Sequence, residues 1–72
     1  MTTLDQLRPG DTRTITNLRS SDLTIKLLEM GLLPGKAVQF NFKAPLGCPI
    51  SVQISGYSLS LRIDEARLIE VA

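Results

Sequence analysis

The chain has 72 residues, a net charge of +1, 43% hydrophobic and 21% charged residues, one cysteine and no histidine. That composition describes one small folded domain, not a disordered chain. Within a single copy it excludes a closed zinc site of about four His or Cys ligands, a Ser-His-Asp or Cys-His catalytic set and an internal disulfide. The near-neutral charge also argues against a dedicated nucleic-acid binder.

The first expected element is a single helical turn at Leu4–Leu7, with Thr3 as its cap, followed by a turn at Arg8-Pro9-Gly10-Asp11. Residues 12–18 (TRTITNL) are rich in β-branched side chains and read as a strand. Residues 21–30 read as a helix. Ser20 or Ser21 can cap it, Asp22 suits its positive end, and Leu23, Leu27 and Met30 share one face. Leu28 widens that stripe, while Lys26 and Glu29 point away from it. Gly31 is placed to end the helix, and Pro34 follows.

After a turn at Leu33-Pro34-Gly35-Lys36, three runs alternate apolar and polar residues. They are 37–43 with Val38, Phe40 and Phe42, 50–55 with Ile50, Val52 and Ile54, and 57–63 with Tyr57, Leu59, Leu61 and Ile63. Period-two alternation with one polar face is the antiparallel pattern. Asp64–Ala66 read as a short helical turn and 67–71 as a last strand. Five short strands in so small a chain predict a mainly β fold, a small barrel with one inserted helix over 21–30. Strand lengths alone leave an SH3-like and an OB-like barrel equally open.

No stretch approaches the roughly 20 apolar residues of a membrane span, and MTTLDQLRPG lacks the basic-then-apolar pattern of a secretory signal. With a lone cysteine that suits a reducing compartment, the expected home is the cytoplasm. Any recruitment to the inner face of the membrane would then pass through a partner.

Three segments are more specific than this periodicity. Leu27-Leu28-Glu29-Met30-Gly31-Leu32-Leu33-Pro34-Gly35 resembles the "LL..G.LPG" segment of FeoA proteins, small cytosolic components of bacterial ferrous iron transport. Ala44-Pro45-Leu46-Gly47-Cys48-Pro49-Ile50 is similar to their "APLGDPI" loop. Leu59-Ser60-Leu61-Arg62 with Glu65-Ala66 resembles their "LxLR..EA" ending. Order and separations match too, over essentially all of 1–72, as one domain. The resemblance implies an SH3-like barrel with an inserted helix. It also implies a non-enzymatic role beside the membrane transporter FeoB, modulating its cytosolic G-protein part by contact. At position 48 this chain has Cys where the family commonly has Asp.

The expected partner-binding residues lie on two loops: Leu32, Leu33 and Pro34 in the first, Pro45, Leu46 and Cys48 in the second. Adjacent leucines at a turn suggest a partner-facing corner, and two prolines stiffen a loop for docking. No catalytic, cofactor or resident metal residues are expected. The alternative is weak binding or sensing of Fe2+ or another transition metal, through carboxylates such as Asp64 and Glu65 or through a Cys48 shared between copies in a homo-oligomer. Val38, Phe40 and Phe42 are assigned to the core, and Lys36, Lys43, Arg62 and Arg67 to a solvated face. Nucleic acid is not an expected partner.

Overall fold

The computed structural model describes residues 2–72. Its strands are β1 (Thr2–Thr3), β2 (Thr12–Leu18), β3 (Ala37–Lys43), β4 (Ile50–Ile54), β5 (Tyr57–Leu61) and β6 (Ile69–Val71). Two helices interrupt them, α1 (Thr24–Glu29) and α2 (Ile63–Ala66), and a 3-10 turn at Leu4–Gln6 follows β1. All pairings are antiparallel, in the order β1-β6-β2-β3-β4-β5.

The first half of β2 (Thr12–Thr14) pairs with β3, and its second half (Ile15–Leu18) pairs with β6. A strand divided in this way passes between the two faces of a barrel and wraps both around one core. That core contains Leu4, Ile15, Val38, Phe40, Ile50, Val52, Ile54, Leu61 and Ile69, each no more than 1% exposed. The alternation of 37–40, 50–54 and 59–61 therefore places the side chains it promised.

Four expectations are corrected. The sheet has six strands, not five, because Thr2 and Thr3 pair with Val71 and Glu70. Two residues carry no periodicity, so β1 is invisible as a pattern. The Thr3 N–H still donates to Gln6 Oε1 at 3.0 Å and opens the turn after it.

The helix is shorter than 21–30. Ser21 accepts the Leu23 N–H on its hydroxyl (3.2 Å) and the Thr24 N–H on its carbonyl (3.2 Å), which makes a turn before α1 begins. A serine hydroxyl offers the backbone a local alternative to helix, and here that alternative wins. Leu27 is the buried centre of the stripe, whereas Leu28 is exposed.

Phe42 leaves the core and is 54% exposed. Phe40 faces Val52 but Phe42 faces Ser51, so β3 carries one extra residue at this point. Such a bulge breaks the alternation and turns the following side chain to the other side. Finally, the strand assigned to 57–63 stops at Leu61, since Ile63 opens α2.

Candidate functional site

The first loop is built by the end of α1. The Gly31 N–H donates to Leu28 O (3.0 Å) and the Leu32 N–H to Leu27 O (3.1 Å). This is a Schellman ending, which needs a left-handed residue after the helix, and Gly31 supplies φ +95°. The motif folds the next residue back onto the last helical turn. Leu32 thus joins Leu27 in the core with 0% exposure. The expectation that Leu32 faces a partner is corrected on this ground. The pattern of an apolar residue immediately after a helix-ending glycine was the signal that would have revealed it. Leu33 emerges on the outside at 41% exposure, followed by exposed Pro34 in a turn closed by the Lys36 N–H and Leu33 O (3.1 Å).

Tyr57 fixes this corner from the other side. Its hydroxyl donates to the Met30 carbonyl at 2.8 Å and lies over Gly31. Sequence reading placed Tyr57 in a strand but gave no sign of the helix contact, because the two residues are 27 positions apart. The Tyr57 ring remains exposed, as do Ile25 and Leu28, which are neighbours on α1 at i and i+3 spacing. Leu33, Leu28, Ile25 and Tyr57 are the exposed large apolar side chains of α1, of the turn after it and of the start of β5.

The second loop is a tight turn in which the Gly47 N–H donates to Ala44 O (2.8 Å) and the Ala44 N–H to Pro49 O (3.0 Å). The Cys48–Pro49 peptide is cis. Pro45 and Leu46 occupy the tip, where Leu46 is 97% exposed. Cys48 is also exposed, and its Sγ accepts the Ile63 N–H at 3.3 Å, tying the loop to the start of α2. Phe42 lies at the same end, at the close of β3.

The two loops do not converge. One precedes Ala37 and the other follows Lys43, so about 20 Å of strand separates them. Leu33 with Tyr57 marks one end of the barrel, and Leu46 with Cys48 and Phe42 marks the other.

The Asp64, Glu65 and Glu70 carboxylates are engaged internally. Glu65 is buried and accepts the Arg62 N–H on Oε1 (2.8 Å) and the Lys26 ammonium on Oε2 (2.8 Å). Burial pushes its carboxyl up, but those two partners outweigh burial and hold it below the ordinary value. Asp64 Oδ1 instead accepts the Glu65 N–H at 3.1 Å. Hydrogen bonds from Arg19 Nε (2.9 Å) and Asn17 Nδ2 (3.2 Å) likewise lower Glu70. Among the described residues no group of three or more His, Cys, Asp or Glu is arranged to hold a metal ion. No pocket is formed among them, and no helix there is long and apolar enough to cross a membrane. Of the basic residues assigned to the solvated face, Arg67 approaches Asp5 at 3.7 Å.

Comparison with known proteins extends the resemblance. A family model described as the FeoA domain matches residues 2–72. The chain is 36% identical over 69 residues, 94% of its length, to the Fe(2+) transport protein A/Fe(2+) transporter FeoB fusion protein of Porphyromonas gingivalis. It spans only 8% of that relative. The solution structure of iron(II) transport protein A from Clostridium thermocellum is 41% identical, with a TM-score of 0.91 over 97% of this chain and 44% of that one. The FeoA of Stenotrophomonas maltophilia, described as a prokaryotic SH3 domain protein and crystallised with zinc, is 26% identical. Its TM-score is 0.88 over 100% of this chain and 91% of that one. These likenesses settle the choice left open by strand lengths in favour of the SH3-like barrel, and the chain belongs to the FeoA domain family.

Proposed function

We propose that this domain is a non-enzymatic accessory module of bacterial ferrous iron uptake that docks on the cytosolic G-protein part of a FeoB-type transporter and modulates it. The observation that carries this reading is the Porphyromonas gingivalis relative, whose name joins transport protein A and transporter FeoB in one fusion protein. Joining two modules in one chain raises their effective concentration toward each other, an arrangement that serves parts that must meet. The docking residues are the exposed apolar ones on rigid supports, Leu33 with Pro34 at one end and Pro45, Leu46 and Cys48 at the other. A preformed turn loses little freedom on binding. The domain acts in the cytoplasm, reaches the inner face of the membrane through the transporter, and needs no cofactor.

An amide NMR titration with the soluble G-domain of the same organism's transporter tests this reading. Saturable shifts at 33–36, at 44–49 or at both are expected. Absence of shifts at high micromolar partner would remove the G-domain as the docking site. The second reading, weak contact with Fe2+ or another transition metal, draws support from the zinc held by the Stenotrophomonas maltophilia relative. Anaerobic calorimetric titration with Fe2+ decides it, and absence of heat at millimolar metal would end it.

A further inference from the structure

The sheet has two free edges, β1 and β5. β1 is two residues long and offers little to pair with. β5 has five residues, Tyr-Ser-Leu-Ser-Leu, and pairs on one side only, with β4. The two-residue turn Ser55-Gly56 joins Ile54 to Tyr57, so that pair is hydrogen-bonded, and the pattern alternates from there. Tyr57, Leu59 and Leu61 thus spend their backbone groups on β4. The N–H and C=O of Ser58 and Ser60 point to the free edge. No other hydrogen bond among the described residues engages them.

Natural edge strands are commonly blunted by charge, proline, a bulge or a covering helix. β5 lacks the first three: its register with β4 is unbroken and it holds no charged residue or proline. α1 meets β5 through side chains, Tyr57 Oη on Met30 O at its start and Lys26 on Glu65 just past its end, and leaves the Ser58 and Ser60 backbone groups without a hydrogen bond among the described residues. Ser58 and Ser60 are exposed, while Leu59 is half-buried against the core.

We infer that the free edge of β5 pairs antiparallel with the same edge of a second copy of this chain, across a two-fold axis at Leu59. The segment Ser58-Leu59-Ser60 reads the same in both directions, so it is its own complement under a two-fold. Ser58 of one copy faces Ser60 of the other, and each such pair exchanges both of its N–H···O=C bonds. The two Leu59 residues form the intervening non-hydrogen-bonded pair, where side chains approach most closely. Tyr57 faces Leu61 of the second copy, so no charge is opposed along the strand. A two-fold contact of one edge with itself is closed, and the other edge among the described residues, β1, is too short to extend it. Two short strands bury less than the ~1,200 Å² of a stable specific interface, so the dimer is populated at protein concentrations on the order of hundreds of micromolar.

The test is sedimentation equilibrium from about 20 µM to about 1 mM, together with amide spectra over the same range. A monomer–dimer equilibrium is expected, with the Ser58 and Ser60 amides shifting with concentration more than those of Tyr57, Leu59 and Leu61. Ser60→Pro removes an outward N–H without touching the β4 ladder, as proline on an edge strand permits. It should keep the folded spectrum and weaken dimerisation at least tenfold. Ser58→Pro is an independent second variant. Three outcomes would overturn the inference: a monomer throughout, a dimer undiminished in either folded proline variant, or edge amides that shift only when the transporter G-domain is added. The last would assign the edge to a foreign strand.

Discussion

Gly31 meets two demands at one backbone position. Its φ of +95° is a left-handed conformation, and a Cβ placed there would lie 2.7 Å from the Tyr57 hydroxyl. Gly31→Ala therefore costs about 1–2 kcal/mol for the left-handed alanine, and about 1 kcal/mol more for displacing the Tyr57–Met30 hydrogen bond. Gly10 has nearly the same φ, +92°, with nothing within 4 Å of the corresponding Cβ. Gly10→Ala carries the first cost only. Urea unfolding of both variants isolates the Tyr57 contact as their difference. Tyr57→Phe, which removes the hydroxyl, should lower stability by about 1 kcal/mol.

Between elements, one electrostatic tie joins α1 to α2 through Lys26 and Glu65, and another joins the end of β2 to β6 through Arg19 and Glu70. The Glu65 and Glu70 carboxyls both lie below the ordinary value of 4.5 in the folded chain. A depressed carboxyl stabilises the fold fully above its unfolded value, and that contribution is lost as pH falls through the folded one. Urea midpoints should thus hold near neutrality and decline from about pH 4.5 downward. Glu65→Gln should lower the neutral midpoint and flatten the acid decline.

The bulge in β3 gives a second contrast at this scale. Phe40→Ala should cost about 3–5 kcal/mol because Phe40 is in the core. Phe42→Ser, at an exposed position, should stay within about 0.5 kcal/mol on thermal or urea unfolding. These elements also show what a sequence discloses. Val38, Phe40, Ile50, Val52 and Ile54 announce their burial because a pleated strand has a fixed period of two. Phe42 continues that period in the letters while the backbone slips by one residue, and no side chain signals the slip. α1 is shortened by Ser21, whose hydroxyl serves a cap and a turn equally well. The loops at 31–36 and 44–49 are legible as turns from their Gly and Pro. Their placement at opposite ends of β3 follows only from the register of the sheet.

At the scale of the whole molecule, core and exposed surface separate at two adjacent leucines, Leu32 at 0% and Leu33 at 41% exposure. Leu33→Asp and Leu46→Asp should leave the amide spectrum folded and weaken binding of the transporter G-domain. Leu32→Asp should abolish the folded spectrum, since a buried carboxylate there has no partner. The same sheet order sets a timetable. β3, β4 and β5 are successive hairpins and can pair as they are synthesised. β6 is different: it is the last of the described strands yet lies between β1 and β2, with Val71 beside Thr2. A ribosome adding about 5–20 residues per second takes several seconds to pass from β1 to β6. Throughout that time β1 has nothing to pair with, and one side of β2 stays open. Closure of the sheet waits for β6, a long-range contact of the kind that slows β-rich domains to milliseconds or seconds.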